Sequence, residues 1–181
     1  MITAVTPTIP ERADMLEELK ASLAAQTVAP TESLVRIDHL HAGPVATVNM
    51  LVEDVETEWF FRCDDDDLFH PNHFEIITNE LGDDWDIVYS WPHIDPPGHL
   101  TPDALQRVLP LKTLRDANWI ASAAAVRTSL WRELGGYRDV HNEDHDFWIR
   151  ALDAGARFKC IPKVTWTYRL GDWPHRCQEA P

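Results

Sequence analysis

Short, continuous apolar segments alternate along this chain with longer segments in which apolar residues recur at helical spacing. The first pattern predicts buried strands and the second predicts amphipathic helices. The predicted strands comprise residues 2–6, 34–38, 59–61, 86–91, 120–126, 158–161 and 164–168. The predicted helices comprise residues 11–26, 128–134, 143–154, a segment after Gly43-Pro44 and a segment that Pro71 opens. Because each of the first three strands precedes a helix, we expect a single α/β domain with a Rossmann-like, mostly parallel sheet and helices on both faces.

Glycine, proline and asparagine residues mark the boundaries of several predicted elements. Gly135-Gly136 is expected to end one helix, because glycine tolerates the left-handed backbone that follows a helix C-terminus. Asn142 is a predicted N-cap of the helix after it. Residues 92–110 contain five prolines and predict an irregular excursion. The polar tail, residues 171–181, is expected to be mobile.

Four adjacent acidic residues, Asp64 to Asp67, follow the apolar segment that begins at Trp59. Adjacent carboxylates repel one another, so packing gives no reason to place them at a strand end. A divalent cation gives a reason, because oxygen ligands suit Mg²⁺ or Mn²⁺. If the chain stays extended there, Asp64 and Asp66 share a side and face one ligand. Ligands of open α/β sheets bind at the carboxyl ends of strands, and the alternative is a solvated acidic turn.

Composition bounds the class of protein. A chain of 181 residues with 44% hydrophobic content and eight tryptophans suits one folded domain. A formal net charge of −14 disfavours non-specific binding to nucleic acid or anionic lipid, although a local patch could still contact a nucleic-acid acceptor. The three cysteines lack metal-ligand spacing and are expected to be free thiols. With no leader pattern and no apolar run of about 20 residues, we expect a soluble, cytoplasmic protein.

Several stretches of the chain, in this order, resemble motifs of one enzyme family. They are Val5-Thr-Pro-Thr8, the segment 43–49, Cys63-Asp-Asp-Asp-Asp67 with Pro71, the segment 126–137, and the segment 143–150 with Gly155. Together they resemble the GT-A glycosyltransferases, in particular the large family 2 of inverting enzymes that use nucleotide sugars. The Asp-x-Asp element alone is a weak signal, but the ordered set is specific and covers most of residues 2–170.

The resemblance implies a metal-dependent, inverting transfer of a sugar from a nucleotide diphosphate sugar to an acceptor hydroxyl. It implies Mn²⁺ or Mg²⁺ as the cofactor and a UDP-sugar in preference to a GDP-sugar as the donor. Asp144 is the expected general base and Glu143 the group that orients its neighbours. The expected nucleotide-sugar contacts are Thr6, Thr8, Asp38, Asn49, Asp64 and Asp65, and the expected metal ligands are Asp66, Asp64 and, in the tail, His175.

The chain also departs from the family pattern. The second predicted strand ends Asp38-His-Leu-His41, where many relatives carry an acidic residue followed by Gly-Ser, and no Lys or Arg lies between Gly43 and Asn49. The chain is short for the family, so we expect its acceptor-side elements to be reduced or supplied by another subunit. We expect a nucleotide-binding half at about 1–91 and an acceptor half with the base at about 92–170, followed by the tail.

Other functions remain open at this point. A nucleotidyltransferase also uses carboxylates and a divalent ion on an α/β sheet, and a non-catalytic subunit could keep the fold and bind a partner. Asp144 has a structural alternative too, because any acidic residue in the first turn of a helix interacts favourably with the helix dipole. The sequence does not identify the acceptor or the oligomeric state.

Overall fold

The computed structural model describes residues 1–95, 106 and 108–170. Two 3-10 turns, Pro10–Arg12 and Leu111–Arg115, accompany the regular elements in these residues. In chain order the elements are β1 (Ile2–Thr8), α1 (Ala13–Ala24), β2 (Glu32–Ile37), α2 (Pro44–Glu53), β3 (Trp59–Arg62), β4 (Leu68–Phe69), α3 (His73–Thr78), β5 (Ile87–Asp95), β6 (Ala124–Arg127), α4 (Thr128–Leu134), α5 (Glu143–Asp153) and β7 (Phe158–Arg169). None of the helices in the described part of the chain is long and apolar enough to cross a membrane.

The seven strands form one sheet in the order β2-β1-β3-β6-β5-β7-β4. The pairs β1–β2, β1–β3 and β5–β7 are parallel, as the alternation of strands and helices predicted. Strand β6 runs antiparallel to both β3 and β5, and β4 runs antiparallel to β7. The predicted α/β class is therefore confirmed. The antiparallel direction of β6 at the centre of the sheet was not predicted.

Helices cover both faces of the sheet, as predicted. Adjacent residues of β3 show this directly, because consecutive side chains of a strand point to opposite faces. Phe60 packs edge-on against Trp131 of α4, with ring centroids 5.1 Å apart, in the core that α2, α4 and α5 cover. Phe61 packs against Phe74 of α3, with ring centroids 5.5 Å apart, in the core that α1 and α3 cover.

Several predicted boundaries differ from the structure. The strand predicted at 120–126 is shorter and spans Ala124–Arg127. Strand β5 continues to Asp95, so the predicted excursion at 92–110 begins as a strand, and residues 96–105 and 107 lie outside the described residues. The two late strands at 158–161 and 164–168 are one strand, β7. Its register against β5 passes from Ile161 opposite Ser90 to Val164 opposite Trp91. Pro162 lies in this irregularity, because proline has no N–H to donate to a ladder.

The predicted N-cap of α5 is not formed. Asn142 adopts a left-handed backbone with φ 56° and ψ 62°, and its side chain makes no capping hydrogen bond. The acidic residues of the first helical turn are nevertheless placed as predicted, where the helix dipole stabilises negative charge.

Cys63 and Cys160 are free thiols, as expected, whereas Cys177 lies outside the described residues.

Gly135 and Gly136 end α4 as predicted, and both have a left-handed backbone, with φ 74° and 71°. The following residue, Tyr137, is held from both sides by one side chain. Its N–H donates to Asn49 Oδ1 at 2.9 Å, and its carbonyl accepts from Asn49 Nδ2 at 2.9 Å. The side chain of Asn49, which lies in α2, therefore holds the loop between α4 and α5 in place through two hydrogen bonds.

We expect Gly136→Ala to destabilise the protein more than Gly135→Ala. Both substitutions place a Cβ on a left-handed backbone, which costs about 1–2 kcal/mol. A Cβ at Gly136 would also lie 2.6 Å from Asn49 Oδ1, whereas a Cβ at Gly135 meets nothing within 4 Å. The clash should add about 1–3 kcal/mol to the loss in unfolding free energy. Denaturant unfolding of the two variants measures the difference, and equal losses would contradict the tight contact.

Candidate active site

A cleft of about 730 Å³ opens at the carboxyl ends of β1, β2 and β3. Its lining comes from residues that follow each of these strands, from the N-terminus of α5 and from the segment before β6. Of the sequence-predicted site residues, the lining includes Thr8, Asp38, Asp64, Asp65, Asp66, Glu143 and Asp144. The structure thus brings together the acidic run and the proposed base, which are far apart in the sequence.

Three of the predicted site residues are not in this group. Thr6 is buried within β1 and does not line the cleft. Asn49 also lies outside the lining, because both polar atoms of its amide bond the backbone of Tyr137. We therefore assign Asn49 a role in positioning the loop before α5. His175 lies outside the described residues.

The acidic run is a buried turn. The N–H of Asp67 donates to the carbonyl of Asp64 at 3.1 Å, so the chain does not stay extended. The condition of the alternate-residue expectation is therefore not met, and Asp64 and Asp66 line the cleft together with Asp65. The alternative of a solvated turn is wrong, because Asp65, Asp66 and Asp67 are only 1%, 9% and 1% exposed.

Thr8 and Arg12 hold the middle of the acidic run. Asp65 accepts hydrogen bonds from Thr8 Oγ1 at 2.6 Å and from Arg12 Nη1 at 2.7 Å. Arg12 Nη2 donates to Asp66 Oδ2 at 2.7 Å. Burial raises the pKa of Asp65 to about 6 despite these two donors, and burial together with the charge of Asp64 raises the pKa of Asp66. The site therefore carries negative charge that its own donors compensate only in part.

Arg62, the last residue of β3, connects the acidic run to the N-terminus of α5. It is buried, and its Nε donates to Asp64 Oδ1 at 2.7 Å while Nη1 donates to Glu143 Oε1 at 3.0 Å. Its guanidinium also lies 5.4 Å from the centre of the Tyr137 ring. Sequence analysis missed this residue, although an arginine inside a buried aromatic strand directly before an acidic run is a signal that could have identified it.

Asp144 lies in the first turn of α5 and is partly buried in the cleft. The side-chain amide of Asn118 donates to its carboxylate, with Nδ2 3.2 Å from each oxygen, and the N–H of His145 donates to Oδ1 at 2.7 Å. Burial and the neighbouring charge of Glu143 raise the pKa of Asp144. A cleft carboxylate with a raised pKa and fixed orientation is suited to accept a proton.

Asp38 closes the loop between β2 and α2. Its carboxylate accepts from the N–H of Leu40 at 3.2 Å and from the N–H of Gly43 at 2.8 Å. Slight burial raises the pKa of Asp38, but the backbone hydrogen bonds outweigh it and the pKa is lowered overall. Asp38 is therefore ionised in the cleft wall and shapes the loop that carries it.

Oxygen donors of the kind that a divalent cation needs are present. Asp64 and Asp66 both line the cleft, and Mg²⁺ sites commonly use one or two carboxylates and complete their coordination with water and phosphate oxygens. Among the described residues, no group of three or more His, Cys, Asp or Glu side chains is arranged to hold a metal. The donor chemistry therefore fits a metal that also takes ligands from a bound diphosphate.

Comparisons with known proteins agree with the motifs. The sequence matches no family model. It is 28% identical over 166 residues to the uncharacterized glycosyltransferase YwdF of Bacillus subtilis, a match that covers 82% of this chain and 61% of that protein. The chain thus spans about 61% of the length of that curated relative.

Solved structures share the fold. S. aureus TarS in complex with UDP-GlcNAc superposes with a TM-score of 0.77 at 15% identity, over 97% of this chain and 60% of that one. The complex of TarS with UDP gives a TM-score of 0.76 at 15% identity, over 94% of this chain and 61% of that one.

A mannosyltransferase, PcManGT from Pyrobaculum calidifontis with GDP-Man and Mn²⁺, gives a TM-score of 0.70 at 15% identity, over 94% of this chain and 57% of that one. The matches extend over most of this chain. The resemblance to the GT-A glycosyltransferases is therefore confirmed, and this chain has their fold, whereas membership of family 2 stays a prediction.

Proposed function

We propose that this chain is an inverting glycosyltransferase domain that moves a sugar from a nucleotide diphosphate sugar to an acceptor hydroxyl. The observation that carries the proposal is the contact of Arg62 with both Asp64 and Glu143, at 2.7 and 3.0 Å. Because Glu143 directly precedes Asp144, this contact supports a donor site and a base that share one cleft.

The donor is proposed to be a UDP-sugar, with a GDP-sugar as the second candidate. TarS binds UDP and UDP-GlcNAc, and PcManGT binds GDP-Man. In this chain Thr8 and Asp38 line the wall at the ends of β1 and β2, where the nucleoside would lie. This assignment makes residues 1–91 the nucleotide-binding half and 92–170 the acceptor half.

Asp64 and Asp66 are proposed to hold Mn²⁺ or Mg²⁺ with the diphosphate. When bound, the ion would neutralise charge on the leaving diphosphate as a Lewis acid. Ser122 Oγ donates to Asp64 Oδ2 at 3.1 Å, and Arg62 holds the other oxygen of that carboxylate. These contacts fix the orientation of Asp64 before any ligand binds. A third protein ligand from His175 remains a prediction.

Asp144 is proposed to take the proton of the acceptor hydroxyl. The hydroxyl oxygen forms a bond to the anomeric carbon, the bond from that carbon to the phosphate oxygen breaks, and its electron pair leaves with the nucleoside diphosphate. Asn118 and the N–H of His145 orient the carboxylate, and Glu143 is held by Arg62 beside it. Attack from the side opposite the leaving group inverts the configuration of that carbon.

Nucleotide binding tests the proposal first. We expect UDP or UDP-GlcNAc with Mn²⁺ to raise the melting temperature, since a ligand at a hundred times its Kd adds about 2.7 kcal/mol of stability. GDP and GDP-Man, and each nucleotide without Mn²⁺, are the comparisons. Release of UDP from UDP-GlcNAc would then support the enzyme, and release of pyrophosphate from UTP would indicate a nucleotidyltransferase. No response to any nucleotide would favour a non-catalytic subunit.

A further inference from the structure

Arg12 occupies the acidic end of the cleft. It ends the 3-10 turn after β1, and its guanidinium forms a fork across two adjacent carboxylates. Nη1 lies 2.7 Å from Asp65 Oδ1, and Nη2 lies 2.7 Å from Asp66 Oδ2. The arginine side chain is 18% exposed, so the pair is largely shielded from water. Such charge-assisted hydrogen bonds are shorter and stronger than neutral ones.

The other arginines near the acidic run are engaged differently. Arg62 contacts the carboxylates of Asp64 and Glu143. Arg169 contacts Glu18 and the backbone carbonyl of Asp66. In the described part of the chain, the salt bridge to the Asp66 carboxylate therefore comes from Arg12. A metal ion that bound Asp66 Oδ2 would meet this guanidinium at the same oxygen.

Asp65 gives Arg12 a second anchor. Its Oδ1 accepts from Arg12, and its Oδ2 accepts from Thr8 at 2.6 Å, so the carboxylate is fixed independently of Asp66. Arg12 can therefore leave Asp66 and still keep one ion pair. The ion pair with Arg12 therefore gives Asp65 a role between the proposed metal ligands Asp64 and Asp66, although Asp65 is not itself proposed as a ligand.

We propose that Arg12 is an internal counter-cation that competes with a divalent metal for Asp66, and that Asp65 retains Arg12 when the metal binds. The inference rests on the proposed metal site at Asp64 and Asp66. It means that the ligand-free domain partly neutralises its own acidic cluster and binds free metal weakly. The diphosphate, which brings further oxygen ligands, would then favour the exchange of Arg12 for the metal.

Mn²⁺ alone, titrated by calorimetry without nucleotide, tests this inference. We expect Arg12→Gln to lower the Kd for Mn²⁺ by roughly tenfold, because the competing charge is removed from a partly shielded site. Arg12→Lys should give a smaller decrease, since a single ammonium cannot span both carboxylates as the fork does. The matched control is Arg36→Gln, which breaks a 3.0 Å ion pair with Asp54 away from the cleft and should leave the Kd unchanged.

The outcomes separate this inference from the proposed function. A wild-type protein that binds Mn²⁺ and nucleotide, with an Arg12→Gln variant that binds Mn²⁺ no more tightly, overturns the inference alone. If neither protein binds Mn²⁺, either alone or with UDP, the inference and the proposed metal site both fail. If Arg12→Gln does not fold, the Kd of Arg12→Lys for Mn²⁺ decides: a lower Kd than that of the wild type supports the inference, and an equal or higher Kd overturns it. Adding Asp66→Asn to Arg12→Gln should abolish the tighter binding, which ties the effect to Asp66.

Discussion

Replacing Asp144 with asparagine is expected to lower kcat by about 10²–10⁴-fold, the usual contribution of a general base. The amide keeps the size of the carboxylate but cannot accept the proton of the acceptor hydroxyl. Donor binding should be unchanged, because the diphosphate is proposed to be held by Asp64 and Asp66 and not by Asp144. Release of UDP measures kcat, and a thermal shift with UDP and Mn²⁺ measures binding.

The matched control is Asp146→Asn in the same helical turn. Asp146 pairs with Arg150 at 2.7 Å and does not line the cleft, so its loss should affect stability and leave kcat near the wild-type value. If Asp144→Asn kept wild-type turnover, the assignment of the base would be wrong and the residue would have only its structural role at the N-terminus of α5.

The pH dependence of kcat gives the same assignment a second readout. A base must be deprotonated, so activity should fall as the pH drops through the pKa of Asp144, which burial raises above the ordinary 3.8. The hydrogen bond from Asn118 favours the charged form and lowers that pKa. Asn118→Ala should therefore raise the pKa and move the acidic limb of the profile to higher pH. A limb that stayed in place would show that another group is the base.

Replacing Asp66 with asparagine is expected to abolish transfer and to remove the stabilisation that Mn²⁺ gives to nucleotide binding. An amide is a weaker ligand for a hard cation than a carboxylate and carries no charge to offset it. At a hundred times the Kd of the ligand, the lost effect is about 2.7 kcal/mol in a thermal shift. The variant should still fold, because Arg12 retains its ion pair with Asp65.

The control for Asp66→Asn is Asp54→Asn, which removes the same charge from an exposed ion pair with Arg36. Asp54→Asn should keep both transfer and the effect of Mn²⁺. If Asp66→Asn kept the full effect of Mn²⁺, the metal would bind elsewhere, and Asp66 would serve only as the partner of Arg12. Together with the Asp144 variant, this separates a loss of donor binding from a loss of proton transfer.

Local patterns predicted much of this fold. The apolar segments of β1 and β3 and the helical spacing after Gly43-Pro44 predicted buried elements correctly. Strand β2 was predicted as buried but lies at the edge of the sheet, where Val35 and Ile37 are exposed. Gly135-Gly136 ended α4 as expected, because the left-handed backbone there restricts the choice of residue. The acidic run was correctly placed after β3, since four like charges at the end of a buried strand need a partner beyond their neighbours.

The tertiary structure alone decided the direction of β6 and the partners of the charged groups. The antiparallel strand between β3 and β5 follows a segment whose sequence pattern does not specify its path. Arg12 meets Asp66 across 54 positions, and Arg62 meets Glu143 across 81 positions. Propensity and periodicity describe neighbours along the chain, whereas the sheet order sets which distant side chains share a cleft. The sequence thus determined the elements and the chemical groups, and only the packing of the strands determined which groups neutralise one another.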